Sequence, residues 1–399
     1  SKPKVLCFFN EKKSFCMSIM INFAKIHKLQ MHNKKQRIIL AVSNDLTADN
    51  RLHKVCTSLT HAGYSVLLVG RKLKTSKLLP PTLYETKRLF LLFTKGPLFY
   101  IFFQIRLCMF LIFKRAVIIT ANDLDTLPAL YIVSKLKGIK LIYDSHEYFT
   151  EVPELVQRPR VQKIWKYIES SIVPKLPYMI TVCDSIANIY ENTYHIPVHV
   201  IKNTPYKIIN PPNPITIARI TKPYIIYQGA INIGRGLELL IDSMQYIETY
   251  QLVIIGHGDL FENIQTQIQD KNLHNKIVCT GKIHFSRLPA YTAGAVLGVS
   301  LEENIGKNYY YALPNKLFDY IQARIPVLVS DLPEMSAIVR TYNCGQIVQE
   351  RTAQKLAEQI CAIIENTNQY AEYVNNAHKA SEIVCWEQEE QTLLNLYSQ

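Results

Sequence analysis

The stretch PNKLFDYIQARIPVLVSD, residues 314–331, runs from a helical pattern straight into a short apolar strand. Such a joint is typical of a fold in which helices alternate with buried parallel strands. Its first turns carry Asn315, Lys316 and Asp319, and the lysine together with the helix dipole favours a phosphate group. Asp319 could accept hydrogen bonds from ribose hydroxyls. Taken alone, a solvated helix face with a Lys–Asp pair explains the same residues.

The same alternation of apolar strands and amphipathic helices runs along most of the chain, in two blocks. The first block covers residues 37–203 and the second covers residues 224–380. Between them, residues 204–223 hold five prolines and no helical or strand period, which indicates a linker. A further helical segment, residues 381–399, ends the chain. The sequence therefore predicts an α/β protein with two tandem Rossmann-like domains and a cleft between them.

The composition indicates a globular protein of a reducing compartment. A chain of 399 residues can form two or three domains, and 48% hydrophobic with 19% charged residues is ordinary for such domains. Its nine cysteines are scattered singly, without a C-x-x-C pair. They predict neither a disulfide framework nor a zinc site, and a cytosolic location fits them best.

The net charge of +13 is concentrated in the first half of the chain. Residues 1–200 hold 29 Lys and Arg against 13 Asp and Glu, whereas residues 201–399 hold 16 against 19. This asymmetry predicts that one domain alone meets an acidic surface. The sequence has no zinc-finger spacing, RNP-like aromatic run or basic amphipathic repeat. Nucleic acid is therefore the weaker choice of partner, and an anionic membrane surface the stronger.

The apolar stretch PLFYIFFQIRLCMFLIFKR, residues 97–115, has two interpretations. It is marginal in length for a bilayer core of about 30 Å, and Gln104 and Arg106 interrupt it, so a true span is disfavoured. It is either a packed helix of an α/β domain or a helix resting partly in the membrane interface. In the second case its basic neighbours would lie near anionic headgroups. These neighbours are Lys87, Arg88, Lys95, Lys114 and Arg115.

Residues 1–36 form a basic N-terminal extension ahead of the first strand. The apolar run at residues 15–24 lacks a convincing small-residue cleavage site, so it is not interpreted as a signal peptide. A further membrane contact is one interpretation of this extension, and the sequence assigns it no other role.

Ligands of doubly wound sheets bind beyond the carboxyl ends of the strands, so polar residues there form the candidate site. YQGAINIGRGLE, residues 227–238, places a glycine-containing turn and Arg235 at a helix start, which suits a diphosphate. DSHE, residues 144–147, places His146 where it could donate to a sugar hydroxyl or to developing charge. IIGHGD, residues 254–259, offers two glycines at a strand end. Each motif alone is also explained by an ordinary turn or a local hydrogen-bond network.

Taken in order, these motifs resemble the retaining glycosyltransferases of family 4, which have the GT-B fold. The resemblance covers nearly everything from Arg37 onward and rests on the succession of motifs. YDSHE is similar to the family's T-V-H-D segment, GAINIGRGLE to its G-R-x(4)-K-G loop, and IIGHGD to its I-V-G-D-G. LFDYIQARIPVLVSD resembles x-L-E-A-M-A-x-G-x-P-V-I-A. The terminal CWEQEEQTLLNLY resembles the family's closing helix, which implies that residues 381–399 cross back to the first domain.

The resemblance also implies roles for individual residues. Arg235 stands in the place of the lysine that neutralises the donor diphosphate, and Asp319 in the place of the ribose-binding glutamate. The implied catalytic residues are His146, Arg235 and Lys316. The implied donor-binding residues are Gly229, Gly234, Gly236, Gly256, Gly258, Glu302, Glu303, Asn315 and Asp319.

Two departures from the family pattern affect the donor site. Ala230 replaces the loop arginine, so one of two usual diphosphate contacts is missing unless Lys316 supplies it. In the E-x7-E pair the first position is Tyr311, and either Glu302 or Glu303 is left as its substitute.

By resemblance, the expected function is transfer of a sugar from a nucleotide diphosphate-sugar, with retention at the anomeric carbon. The expected route is a same-face reaction without an enzymic nucleophile, cofactor or metal. The expected partners are the nucleotide-sugar donor, a lipid-linked or glycan acceptor as in bacterial surface-polysaccharide assembly, and an anionic membrane surface. The expected location is the cytoplasm, peripheral on the inner face of the membrane. Two other classes stay open: a GT-B nucleotide-sugar 2-epimerase or hydrolase, and a non-catalytic GT-B binding protein.

Overall fold

The computed structural model describes residues 35–47 and 49–399, which form two domains built on all-parallel sheets. The strands of the first domain are β1 (Arg37–Ala41), β2 (Ser65–Lys72), β3 (Glu85–Phe90), β4 (Ile118–Asn122), β5 (Lys140–Ser145), β6 (Met179–Thr181) and β7 (Val198–Val200). The strands of the second domain are β8 (Tyr224–Gln228), β9 (Gln251–Ile255), β10 (Ile277–Gly281), β11 (Ala295–Ser300), β12 (Val327–Val329) and β13 (Gly345–Ile347).

The helices of the two domains cover both sheets. Those of the first domain are α1 (Asn50–His61), α2 (Gly96–Ile112), α3 (Leu127–Lys137), α4 (Pro153–Val156), α5 (Pro159–Ile172) and α6 (Asp184–Tyr194). Those of the second domain are α7 (Leu237–Ser243), α8 (Phe261–Asp270), α9 (Leu288–Thr292), α10 (Lys307–Tyr310), α11 (Asn315–Gln322), α12 (Pro333–Tyr342), α13 (Ala353–Glu365) and α14 (Thr367–Ile383). The last helix is α15 (Trp386–Ser398).

Each sheet reverses its strand order at one point, and this position sets the site. The first sheet has the order β3-β2-β1-β4-β5-β6-β7, and the second has the order β10-β9-β8-β11-β12-β13. Parallel strands require crossover helices on both faces, so the central strands are apolar throughout, as in β1, where residues 38–41 are at most 1% exposed. A crevice opens beyond the carboxyl ends where the order reverses. The predicted fold class of two Rossmann-like domains is confirmed.

The chain crosses between the domains twice, first through the proline-rich linker and then between α14 and α15. Trp386 is fully buried, and its Nε1 donates to Ser58 Oγ on α1 at 3.0 Å. Near the end of α15, the Tyr397 hydroxyl lies 2.8 Å from Thr120 Oγ1 on β4. The backbone N–H of Trp386 donates to the Pro205 carbonyl at 2.8 Å, which ties the two crossings together. The predicted return of the C-terminal helix to the first domain is confirmed.

The apolar stretch at residues 97–115 forms α2, which is buried on one side only. Phe99, Phe103, Leu107 and Leu111 face the core of the first domain. The opposite side of α2 carries exposed apolar residues. Among the residues that the structure describes, no helix has both the length and the apolar character to cross a bilayer. Residues 1–34 of the predicted N-terminal extension lie outside the described part of the chain.

We predict that Trp386→Ala destabilises the protein by about 3–5 kcal/mol, because a large buried ring and its hydrogen bond to α1 are lost together. Urea unfolding monitored by circular dichroism measures the change. Tyr246→Ala, at a side chain that is 57% exposed, is the control and should shift the free energy of unfolding by less than about 0.5 kcal/mol. Equal effects of the two substitutions would contradict the anchoring role of α15.

Candidate functional site

A cavity of about 430 Å³ lies between the two domains, beyond the carboxyl ends of β5 and β8. We call it the cleft cavity. Its first-domain wall includes His146, Glu147, Val182 and Ile186. Its second-domain wall includes Gly229, Ala230, Arg235, Asn315, Lys316 and Asp319. The cavity therefore brings the three sequence-predicted catalytic residues to one place.

Two cations from different segments meet at one buried carboxylate beside this cavity. Lys316 Nζ lies 2.8 Å from Glu302 Oε1, and Arg235 Nη1 lies 3.5 Å from the same oxygen. Glu302 is fully buried, and the Ser300 hydroxyl donates to its other oxygen at 2.7 Å. Burial by itself would raise the pKa of Glu302, but the Lys316 ammonium and these hydrogen bonds hold that pKa below its usual value. Glu302 therefore stays ionised and positions both cations.

Aromatic rings support the same two cations. Lys316 Nζ lies 3.9 Å from the centroid of the Tyr227 ring, and the Arg235 guanidinium carbon lies 4.8 Å from that of Tyr309. Ring faces attract cations without neutralising them. The cluster of Arg235, Lys316 and Glu302 therefore carries one net positive charge. Helix α11 also begins here, and its N-terminal dipole adds to the attraction for an anion.

The predicted glycines shape the loops around the cavity. Gly229 lines the cavity, and a Cβ at this position would lie 3.4 Å from Lys316 Cε. At Gly256 a Cβ would lie 1.8 Å from the Gly229 carbonyl oxygen, so glycine is required where these two strand ends approach each other. The remaining predicted glycines pack against neighbouring loops behind the cavity wall, and they are Gly234, Gly236 and Gly258.

On the opposite wall, His146 lies between two carboxylates of the first domain. Its Nδ1 is 3.5 Å from Asp123 Oδ2, and its Nε2 is 3.5 Å from Asp144 Oδ2. Asp144 also forms a buried salt bridge with Arg51 on α1, with Nη2 2.9 Å from Oδ1. Burial by itself would lower the pKa of His146, but Asp123 and Asp144 raise it to about 9. At neutral pH His146 is therefore an imidazolium, suited to donate a hydrogen bond rather than to accept a proton.

Direct hydrogen bonds join the two walls of the cleft. The Asn308 amide donates to Glu147 Oε2 at 3.1 Å and accepts from the Tyr148 backbone N–H at 3.0 Å. Farther along, the Ser185 backbone N–H donates to Glu334 Oε1 at 2.6 Å. These contacts hold the first-domain wall against the second domain.

A second cavity of about 340 Å³ adjoins the first, and we call it the linker cavity. It shares Leu288, Asn315 and Asp319 with the cleft cavity. Its other walls come from α1, the proline-rich linker, α9 with the turn before it, and the end of α11. They include Lys54, Tyr206, Phe285, Thr292 and Ala323.

Asp319 stands at the boundary between the two cavities. The Gln228 side chain donates to Asp319 Oδ2 at 2.7 Å, and burial raises the pKa of Asp319 to about 6. Across the linker cavity, Lys54 Nζ donates to Asn203 Oδ1 at 2.9 Å and also to the Thr204 carbonyl. Burial, aided by the nearby Arg51, lowers the pKa of Lys54 to about 7. Both groups therefore sit close to a change of charge at neutral pH.

The structure places the two candidate glutamates differently. Glu302 contacts both cations, whereas Glu303 is 41% exposed at its side chain and lies 3.5 Å from Arg351 Nη2. The Glu303 backbone N–H donates to the Gly234 carbonyl at 2.9 Å. Of the two candidate glutamates, Glu302 is therefore the one that lies beside the cleft cavity. The role of each predicted residue in binding a ligand stays a prediction.

Several residues of the site were not predicted from the sequence. Arg51 and Lys54 belong to a helix that reads as amphipathic, yet their side chains are 3% and 7% exposed. Asn308 and Glu334 carry no motif. The polar strand ends that contain Asp123 gave the one available signal, because they indicated where a ligand would bind.

The described residues offer anion-binding groups in place of metal ligands. Within residues 35–47 and 49–399, no group of three or more His, Cys, Asp or Glu is arranged to hold a metal ion. The groups that could hold a diphosphate are Arg235, Lys316 and the N-terminus of α11. The expectation that the reaction needs neither metal nor cofactor stays a prediction.

Two parallel sheets, a cleft between them and a helix that returns to the first domain define the GT-B class of proteins. The family model described as Glycosyltransferase Family 4 matches residues 48–204. The model described as Glycosyl transferases group 1 matches residues 215–380. Both domains are therefore matched, and the chain belongs to glycosyltransferase family 4.

Known proteins are similar to this chain at low sequence identity, two of them in solved structures. Sucrose-phosphate synthase from Thermosynechococcus elongatus is 17% identical with a TM-score of 0.74, over 91% of this chain and 98% of that one. HepE from Anabaena, in a complex with UDP-glucose, is 14% identical with a TM-score of 0.70, over 91% and 99%. Chitobiosyldiphosphodolichol beta-mannosyltransferase from Yarrowia lipolytica is 27% identical over 113 residues, or 28% of this chain. That match spans only 24% of the length of the curated relative.

We predict that the stability of the protein falls between pH 6.5 and about 9 through His146. Its folded pKa of about 9 lies above the ordinary value of 6.5. The contribution is fully present below pH 6.5 and is lost as the pH rises through 9, by about 1–3 kcal/mol. Urea unfolding at several pH values measures the free energy of unfolding.

His146→Gln is the matched variant, because glutamine keeps hydrogen bonding but does not titrate. Because the pKa of Lys54 is lowered, the contribution of Lys54 to the free energy of unfolding rises with pH over this range. Lys54 is present in both proteins, so this contribution cancels in their difference. The difference between wild type and His146→Gln therefore reports the titration of His146 together with that of Asp123, the carboxylate to which it is coupled. If the free energy of unfolding changed with pH in the same way in both proteins, the raised pKa of His146 would be wrong.

Proposed function

We propose that this protein is a retaining glycosyltransferase that moves a sugar from a nucleotide diphosphate-sugar to a hydroxyl group of a lipid-linked or glycan acceptor. The single observation that carries the proposal is the cation pair. Arg235 and Lys316 come from separate segments, share the buried Glu302, and line the cleft cavity opposite His146. Such an arrangement suits a diphosphate that is to leave with a negative charge.

In the proposed reaction the bond between the anomeric carbon and the diphosphate oxygen breaks, and a bond to the acceptor oxygen forms on the same face. The acceptor proton passes to a leaving phosphate oxygen. Arg235, Lys316 and the backbone N–H groups at the start of α11 stabilise the charge that develops on the diphosphate. The positions of the cations are fixed before the donor binds, so little reorganisation is needed during transfer.

His146 serves the sugar end of the donor in this proposal. Its imidazolium, held by Asp123 and Asp144, donates a hydrogen bond to a sugar hydroxyl or to the acceptor side of the cleft. Because its pKa is about 9, His146 is a poor general base at neutral pH. That property favours the leaving phosphate as the group that receives the acceptor proton.

The nucleoside end of the donor is assigned to the linker cavity. If the diphosphate lies at the cations and the sugar points toward His146, the ribose reaches Asp319 at the boundary of the two cavities. The base then enters the linker cavity, between Leu288 and Phe285 on one side and Lys54 on the other. Asp319 accepts hydrogen bonds from the ribose hydroxyls in its ionised form.

The acceptor and the cellular location follow the expectations from the sequence. A nucleotide-sugar donor and free thiols both fit the cytoplasm, and the seven cysteines in the described part of the chain are all free. The Yarrowia lipolytica relative is named for transfer to a lipid-linked diphosphate glycan, which supports a lipid-linked acceptor for this chain.

We predict that Arg235→Ala and Lys316→Ala each lower kcat/KM for sugar transfer by about 100-fold or more, because a charge contact to the leaving group is removed. Donor screening with mass detection of products identifies the donor first. Lys355→Ala removes a lysine whose ammonium pairs with Glu358 on the surface of α13, and it should keep the wild-type rate. Melting temperatures of all variants show whether the loss reflects unfolding.

Reaction products and nucleotide binding together distinguish a glycosyltransferase from the two alternative classes of protein. Transfer of the sugar to an acceptor supports the proposal. Conversion of the nucleotide-sugar without an acceptor indicates an epimerase or hydrolase. Absence of stabilisation by UDP, GDP or ADP, in a protein that is folded, indicates a non-catalytic binding protein and overturns the proposal.

Filling the linker cavity tests the place of the nucleoside. We predict that Ala323→Phe weakens binding of the matching nucleoside diphosphate by about tenfold, because the new ring occupies the space of the base. Titration calorimetry measures the affinity for the nucleoside diphosphate and for inorganic pyrophosphate. Pyrophosphate affinity should stay unchanged, since the cations are untouched. An unchanged nucleotide affinity would place the base elsewhere.

A further inference from the structure

The outer face of α2 is an extended apolar surface without a covering element among the described residues. Its exposed side chains follow a helical spacing, and the exposed fraction of each is between 39% and 57%. They are Leu98, Ile101, Ile105, Met109 and Ile112. Phe113, just beyond the helix, is 84% exposed. We call these six residues the α2 apolar face.

The segment before α2 carries further exposed apolar residues. Phe90 is 62% exposed at the end of the edge strand β3, and Leu92 is 66% exposed in the loop that follows. The Phe93 ring packs edge-on against Phe102 of α2, with the centroids 6.0 Å apart. Several exposed apolar side chains on one face of a helix, rather than single scattered ones, mark an interaction site.

The segment of the chain that contains the α2 apolar face is basic, and we call its exposed cations the basic border. The chain from residue 86 to residue 140 holds nine Lys and Arg, and its two acidic residues, Asp123 and Asp125, lie in the His146 region. The basic residues of this segment that are exposed are Lys87, Lys95, Arg106, Arg115, Lys135 and Lys137. The segment therefore joins apolar side chains to positive charge without an exposed carboxylate between residues 86 and 140, and the exposed Glu85 just before it is paired with Arg37 at 2.6 Å.

This charge pattern indicates which kind of partner binds the α2 apolar face. A second copy of the chain would bring two basic borders together, and like charges would repel. Residues 1–34 hold seven lysines and one glutamate, so this segment does not complement the face electrostatically either. An anionic lipid surface offers both an apolar layer for the side chains and negative headgroups for the border.

Rigid contacts connect α2 to the cleft. The Gln104 side chain accepts from the Ala129 backbone N–H at 2.9 Å, which fixes α2 to the start of α3. The Tyr100 ring contacts Trp165 at 5.2 Å between centroids, and Trp165 contacts Phe149 at 5.4 Å. Phe149 lies three residues after His146. The apolar face and the first-domain wall of the cleft thus belong to one packed unit.

We propose that the α2 apolar face with its basic border is a docking surface for the anionic face of a lipid bilayer. The apolar side chains enter the boundary between headgroups and acyl chains, and the Lys and Arg side chains contact the headgroups. The helix lies in the plane of the interface without crossing the bilayer. Docking of the first domain brings the first-domain wall of the cleft toward the membrane. The surface is separate from the cleft, and its membrane binding does not depend on the transfer reaction.

Flotation of the full chain with vesicles tests the proposal. We expect binding to vesicles of phosphatidylcholine mixed with phosphatidylglycerol, weaker binding to phosphatidylcholine alone, and release at high salt. Ile101→Glu with Ile105→Glu should lower the bound fraction by about tenfold or more. Arg106→Gln with Arg115→Gln should lower it by about tenfold on anionic vesicles only.

Ile383→Glu is the matched control, because Ile383 on α14 is 59% exposed, close to the 57% of Ile101. It should bind vesicles as the wild type does, and all variants should keep nucleotide-dependent thermal stabilisation, which separates this test from that of the transfer reaction. Wild-type binding by the Ile101→Glu, Ile105→Glu variant would overturn the proposal. So would equal binding to neutral and anionic vesicles, or a dimer in light scattering that the same variant abolishes.

Discussion

The buried carboxylate of Glu302 is the interaction on which the donor side of the cleft depends. A carboxylate at 0% exposure is unfavourable unless cations and hydrogen bonds offset its desolvation. Lys316, Arg235 and Ser300 supply them from α11, from the loop after β8 and from the end of β11. Three segments that are distant in sequence are therefore held together by one charge. The two cations keep their positions without a ligand, because each is fixed by the protein itself.

The larger part of the fold was predictable because of how parallel sheets are built. Central strands such as β1 and β8 are buried on both faces and appear as unbroken apolar runs. The strands that sequence reasoning missed lie at the edges. β3 reads ETKRLF, with charged residues on its exposed side, and β7 and β13 have only three residues each. Such strands are stabilised by pairing with a neighbouring strand. That neighbour is distant in sequence, so the local sequence pattern does not predict the pairing.

The candidate site likewise contains some residues that the sequence predicted and others that it did not. Arg235, His146 and Lys316 could be found from the sequence because each follows a strand or opens a helix, where ligands of such sheets bind. Their supporting residues could not. Arg51 sits on α1, 93 positions before its partner Asp144, and Asn308 reaches Glu147 from 161 positions away. Both pairings depend on how the chain folds back, and the side chains alone look like ordinary surface residues.

The two crossings between the domains have a consequence for motion. Because the Trp386 N–H donates to the Pro205 carbonyl, the outgoing and returning segments are joined where they pass between the domains. A rotation of one domain relative to the other would have to bend both segments together at this point. Two linked connections leave fewer directions open to such a rotation than a single tether would.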